Sequence, residues 1–340
     1  MSASPPPRRS GGVYTQVWDG YSLAERDRRW NAACAATAAA GFDCIFVPLG
    51  NGVDARYLTQ FRASCVVLPS DGRPPIVITD RGSRNTWLPE PRLTSRQWAE
   101  PVAEALLDAG FEHARIGVAG LQGGTFAHVS SPQGVVSHSP FAYVLSQLPN
   151  ARFEDATDVL GRVRYLKSAE EIACLRRAAA IARAGLDAFL EHASAEPAVL
   201  QARMLGRMLR LGSEYFPQSL SVSDEQVRAD INAVWGTQIA QVVRTVGADD
   251  RRAREAFELG LEHMKPGIPF AQLVHAMSAF GAEPRLQGLG AGDDGPLLPG
   301  ADDLSFEANT AFVWKPVAGG VSFGEPVLIT AQGAEPLGVS

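Results

Sequence analysis

Apolar positions along this chain repeat with two periods, and the changes between them predict its elements. In LAERDRRWNAACAATAAAGF, residues 23–42, small and apolar residues recur three and four apart, which predicts a helix that stops at Gly41. DCIFVPLG is a short apolar run of strand type, and SCVVLPSDGRPPIVITD predicts two strands around an Asp-Gly turn. WAEPVAEALLDAGF followed by RIGVAG predicts helix, then strand. Helices alternating with strands predict an α/β domain over residues 21–155, preceded by a loose Pro-, Ser-, Gly- and Arg-rich arm over residues 1–20.

A second unit is expected over residues 156–340. Ser168 and Glu171 have capping-box spacing, and Ile172, Leu175, Arg176, Ala179 and Leu186 then mark one largely apolar side of a long helix. DDRRAREAFELGLEHMKPGIPFAQLVHAMSAFG predicts two helices broken at Pro266-Gly267, and TAFVWKPVAGGVSFGEPVLITAQGAEPLG predicts strand, turn, strand.

Composition narrows the function classes. At 340 residues with 46% hydrophobic and 20% charged positions, the chain can bury two cores. A net charge of -6 and the absence of a basic block argue against a nucleic-acid partner and favour a small or peptide-like one. No apolar run reaches the ~18 residues that span a bilayer, and MSASPPPRRSGG lacks a signal-peptide core, so a cytoplasmic location is expected. Cys34, Cys44, Cys65 and Cys174 have no CxxC spacing and read as reduced core residues. The six histidines form no metal or triad pattern.

QGLGAGDDGPLLPG, residues 287–300, has the glycine density of a dinucleotide loop, but the paired aspartates that follow would repel a pyrophosphate and the prolines exclude the helix such a loop requires. With RYLTQF, LGRVRYLKSAEEIACLRRAAAIA, MKPG, GLGAG, FVWKP and VLITAQGAEPLG in this order, the chain resembles the creatinase, prolidase and aminopeptidase P family. That resemblance implies an N-terminal creatinase-like α/β domain followed by a pita-bread domain, and a homodimer in which the loop carrying Phe61 and Arg62 reaches the partner's pocket.

Most members of that family hold two divalent ions with two Asp, one His and two Glu. Mapped onto this sequence, the first Asp is Asp230, the second is Gln241, the His is Leu289, and the two Glu are Lys315 and Gly324, with Glu325 one residue late. An amide, a leucine, a glycine and an ammonium beside one carboxylate are not a dinuclear ligand set. No metal and no other cofactor is expected. The histidine base of creatinase has no counterpart in GSEYFPQSLSVSDEQVRA.

Asp230 and Lys315 are expected to face one another in the former metal pocket, either as a charge replacement or as an acid/base pair. Phe61, Arg62, Gln241, Arg244, Leu289, Trp314 and Glu325 would line the substrate site. The leading expectation is a metal-independent enzyme acting on a small amino-acid-like or amide-containing molecule by hydrolysis, elimination or another proton transfer. Its alternatives are an inactive peptidase-like scaffold that binds a peptide or protein, and an Xaa-Pro aminopeptidase or dipeptidase-type metallohydrolase. Asp293 and Asp294 are expected as solvated turn residues or polar lining.

Overall fold

The computed structural model describes residues 18–60, 64–79, 87, 92–93, 97–127, 133–191, 196–222 and 226–338. Most of the expected arm lies outside them, as do Phe61, Arg62, His128 and His192. The first sheet comprises β1 (Cys44–Val47), β2 (Ser64–Pro69), β3 (Ile76–Thr79), β4 (Arg92–Leu93), β5 (Arg115–Val118) and β6 (Arg152–Asp155), in the order β4-β3-β2-β1-β5-β6. β1 pairs antiparallel with β2 and parallel with β5. All four β1 residues are buried because the sheet is covered on both faces. Ile45 and Val47 pack with Ala33 and Cys34 of α1 (Leu23–Ala39), while Cys44 and Phe46 pack with Val102 and Leu106 of the later helix at Ala99–Asp108. The four cysteines are buried and unbonded.

α1 begins at Ser22, whose hydroxyl accepts the Glu25 N–H, and its chain turns at Gly41 with φ +76. RYLTQF is not a loop throughout. Arg56 to Thr59 close α2 (Gly52–Thr59), and Gln60 leaves it in the left-handed region with φ 64. The reason is Asn51, an N-cap that accepts the Asp54 N–H and starts a helix the apolar pattern does not advertise. α3 (Ala99–Asp108) and α4 (His138–Gln147) complete this half.

The second half starts with α5 (Thr157–Tyr165), α6 (Ala169–Leu190) and α7 (Pro197–Arg210). At α6 both bonds of the Ser168–Glu171 capping box form. β7 (Ser219–Val222), β8 (Val227–Trp235) and β9 (Gln238–Val246) then precede α8 (Arg251–His263) and α9 (Phe270–Phe280), which break around Pro266-Gly267 as the sequence predicts. The remaining strands are β10 (Leu286–Leu289), β11 (Asp293–Leu298), β12 (Thr310–Trp314), β13 (Val317–Ala318), β14 (Val321–Thr330) and β15 (Gly333–Pro336). Together they build a nine-stranded sheet whose main path is β11-β10-β12-β14-β9-β8-β7. The interval before β8 thus contains a strand, β7, that pairs antiparallel with it.

The two halves are joined by buried charge. Arg29 on α1 is fully buried, and its guanidinium donates to Glu25 (2.7 Å), the Tyr57 carbonyl (3.0 Å) and Glu171 (3.2 Å). Its Cζ lies over two rings, 4.0 Å from the Tyr21 ring centre and 4.4 Å from that of Tyr57. Arg164 on α5 is likewise buried between Asp54 of α2 and Asp294 of β11. Removing one partner of a buried, hydrogen-bonded pair strands the other charge in a dry interior. Arg29→Ala should therefore lose about 3–5 kcal/mol of stability, measured by chemical denaturation; a loss below about 1 kcal/mol would mean the junction does not depend on this pair.

Candidate functional site

β8 and β9 pair with Asn232 opposite Gln241 and Asp230 opposite Val243, so Asp230, Asn232 and Gln241 share one face of the ribbon. Gln287 on β10 and Lys315, just after β12, meet that face from the other side. Lys315 Nζ donates to Gln241 Oε1 at 2.8 Å and to Gln287 Oε1 at 3.2 Å. Gln241 Nε2 in turn donates to Asn232 Oδ1 at 3.0 Å. Gln241 and Asn232 are buried, whereas Lys315 and Gln287 are half-buried.

Asp230 and Lys315, expected to face one another, each have hydrogen-bond partners of their own. Arg228, two residues back along the same strand, donates to the Asp230 carboxylate at 3.1 Å, and Lys315 donates to the two amide oxygens of Gln241 and Gln287. Asp230 also lies within electrostatic reach of Arg285, whose guanidinium is pushed above its usual range first by the hydrogen-bonded carboxylate of Glu283 and then by Asp230. The local cause is steric and simple: side chains at i and i+2 of a strand lie side by side, which gives Arg228 first access to Asp230.

A one-residue offset separates the two candidates for the second Glu. A Cβ on Gly324 would stand 2.6 Å from the Lys315 Cβ, so this position faces the lysine and has room for no side chain. Glu325 points the opposite way, as the period of a strand requires. It is fully buried, ion-paired with Arg244 and 2.9 Å from Arg183 of α6. Arg244 also donates to the Gly324 carbonyl at 2.8 Å and stacks on Phe323. Burial pulls the Arg244 guanidinium below its usual range, and the Glu325 charge opposes that shift. Arg244 and Glu325 are thus a strand-to-helix brace and do not line the Lys315 cluster.

Two further expected lining residues are core. Trp314 is fully buried, with its indole N–H on the Phe257 carbonyl at 3.1 Å and its ring filling the space left by Gly260 of α8. Leu289, 2% exposed, packs in an apolar cluster with Leu175, Ala179, Val243 and Val313. Apolar burial is the driving force for both, and it removes them from ligand contact. Sequence reasoning passed over Asn232, Gln287 and Lys167. The first two lie two positions from Asp230 and Leu289 and so on the same strand faces, a signal that was available.

The glycine-rich segment is a β10–β11 hairpin. Asp294 is buried and ion-paired with Arg164, so the expectation of a solvated turn residue is corrected there. Gly290 is needed for close approach, since a Cβ would stand 2.7 Å from Lys167 Nζ and 2.9 Å from Asp294 Oδ2. Lys167 donates to the Arg164 carbonyl and lies fully inside. Burial pulls its pKa down, Glu171 and Asp294 oppose that, and Arg164 and Arg29 reinforce it. The chain has three lysines, Lys167, Lys265 and Lys315, among 31 basic residues, and two of the three serve this interior.

Divalent ions need several hard anionic or imidazole donors around one point. Here the cluster offers two amide oxygens already bonded to an ammonium, and Asp230, on the same strand face, is bound to Arg228. Among the described residues no group of three His, Cys, Asp or Glu is arranged to hold a metal. These residues do not fit the two-metal centre of the resembled family.

Neither a family model nor a curated protein matches this sequence. Solved structures do. An Xaa-Pro dipeptidase from Bacillus anthracis superposes with a TM-score of 0.74 at 17% identity, covering 93% of this chain and 98% of that one. An X-Pro aminopeptidase from Thermotoga maritima gives 0.71 at 18% identity, covering 90% and 97%. The N-terminal domain of FACT complex subunit SPT16 from Cicer arietinum gives 0.68 at 12% identity, covering 94% and 97%. The chain therefore has the pita-bread fold of the prolidase and aminopeptidase P structures, an N-terminal α/β half followed by the pita-bread half.

Lys167 supplies a test of the hairpin's electrostatics. Its folded pKa is depressed, so between that value and the unfolded one near 10.5 the unfolded chain binds more protons, and stability rises with pH. The stability of the wild type relative to Lys167→Met should increase from pH 7 toward pH 10, as read by urea melts. A difference that falls with pH would contradict the burial.

Proposed function

We propose that this chain is a metal-independent binding protein on the peptidase fold, taking a small amino-acid-like or amide-containing ligand, or a peptide end, at the Lys315 cluster. The observation that carries this reading is the pair of hydrogen bonds from Lys315 Nζ to Gln241 and Gln287, a donor centre where the resembled family carries metal ligands. A charged donor binds carbonyl and carboxylate oxygens directly. The fold's use by a FACT complex subunit supports a binding role on this scaffold.

Enzymatic proton transfer is the second reading, with Asp230 as base and Lys315 as acid in hydrolysis or elimination. It is favoured by one observation: Asp230 is partly exposed on the same strand face as Asn232, so a ligand at Lys315 can meet both. Against it, the Asp230 carboxylate already accepts from Arg228, which a substrate must displace. Homodimerisation through the segment of Phe61 and Arg62 belongs to the same reading and is tested by sedimentation.

Elemental analysis of the purified protein should find zinc, manganese, cobalt and iron well below one ion per chain; two tightly held ions would overturn the metal-free reading. Calorimetry with a panel of dipeptides and small amides should then find ligands whose binding weakens at least tenfold in Lys315→Ala, about 1.4 kcal/mol. Turnover by the parent, lost in both Asp230→Asn and Lys315→Ala, would establish the enzyme instead.

A further inference from the structure

Asn51 and Gly52 are the chain's one Asn-Gly pair. An asparagine side chain followed by glycine is open to attack by the next main-chain nitrogen, because glycine has no side chain to block the approach and turns freely. In that reaction the Gly52 nitrogen bonds to Asn51 Cγ and gives up its proton, the Cγ–Nδ2 bond breaks, and Nδ2 leaves as ammonia. Water then opens the five-membered imide at either carbonyl and leaves aspartate or isoaspartate at this position. Water is the only co-reactant.

The folded chain blocks the first step. A planar imide ring requires the Gly52 nitrogen to eclipse Cβ about the Cα–C bond, a ψ of about −120°, which lies outside the main allowed regions. Asn51 has φ −89 and ψ 68, nearly a half-turn away. Three hydrogen bonds hold it there. Its Oδ1 accepts the Asp54 N–H at 3.2 Å, and its Nδ2 donates to Asp54 Oδ2 at 2.6 Å and to the Ala119 carbonyl at 3.2 Å.

The anchors of those bonds are themselves fixed. Ala119, just after β5, is fully buried and bonded to Phe46 of β1. Asp54 is buried and ion-paired with Arg164 of α5, which also donates to Asp294 of β11 at 3.1 Å. Asn51 therefore turns only when the first turn of α2 comes away from Arg164. A cavity of about 20 Å³ among Asn51, Asp54, Thr157 and Arg164 is large enough for one water at this junction.

The change is one-way. Once ammonia has left, a carboxylate stands where Nδ2 donated to the Ala119 carbonyl and to Asp54, so both donors are lost and two anions meet. Isoaspartate also adds a methylene to the main chain at the start of α2. We propose that Asn51 is a deamidation site gated by the Asp54–Arg164 contact, and that its product bars the two halves from re-forming this junction.

The test follows the full chain at mildly alkaline pH by mass spectrometry. Trypsin releases residues 30–56 as one peptide, whose fragment ions separate Asn51 from Asn31. Conversion of Asn51 should be at least about tenfold slower in the folded chain than in urea, since only the open fraction reacts. Arg164→Met should raise the folded chain's rate at least about threefold and leave the rate in urea unchanged. Arg164→Lys, which keeps the charge without the fork that spans Asp54 and Asp294, gives the same readout if the methionine variant does not fold. Equal rates in the folded chain and in urea, or a folded Arg164 variant no faster than wild type, overturn the gate. Asn51→Asp stands in for the product. Aspartate and asparagine cap helices equally well, so a capping role alone leaves the melting temperature unchanged. The lost donors should lower it, and an unchanged value overturns the barrier to re-forming the junction.

Discussion

Glu171 is the residue on which the two halves of this chain converge. Its carboxylate caps α6 through the Ser168 N–H, receives Arg29 from the fully buried side and takes Arg28 at 3.0 Å from the more exposed one. Burying a carboxylate costs several kcal/mol unless each lone pair is met, so each of these bonds requires the others. α1 is thus held against the start of α6. The same demand extends to Arg164 and Lys167, which follow from α5 and lie against Asp54 and Asp294. The β10–β11 hairpin is placed by charges that cannot be left alone in the interior.

That placement explains why the glycine framework persists beside a changed centre. Gly290 lets Lys167 and Asp294 approach the hairpin backbone, a demand that is independent of any ion. Leu289, between the glycines, belongs to the apolar packing around α6. Across the sheet, Gly324 makes room for Lys315, and its neighbour Glu325 serves Arg244 and Arg183. Strand register divides the work: one face carries the polar centre and the other a salt-bridged brace.

The elements with strong periodicity were legible from sequence alone: α1 to Gly41, the β2–β3 pair, the capped α6, and the break between α8 and α9. β7 and α2 were not, since the first is four residues long and the second is set by an Asn51 cap in a stretch without an apolar stripe. At the site, family alignment led to Lys315 and Gln241, but the partners of Asp230 and Glu325 were decided by contacts that no linear pattern encodes. Arg228 reaches Asp230 within one strand, while Glu325 depends on Arg183, 142 positions away. Trp314 is adjacent to Lys315 in sequence and faces the opposite way in the sheet, which is what adjacency in a strand means.

The choice of lysine at this centre follows from the same geometry. Arginine is the chain's usual cation, with lysine at three positions only. A guanidinium is a flat fork suited to paired carboxylate oxygens, and it serves that role at Arg29, Arg164 and Arg244. Between Gln241 and Gln287 the acceptors come from two different strands and converge on one atom. A compact ammonium with three donors around a point meets that requirement, and a planar fork does not. Lys315 therefore occupies a position shaped for a small, nearly spherical cation. It differs from a free ion in being covalently fixed to β12's end and in carrying a single charge.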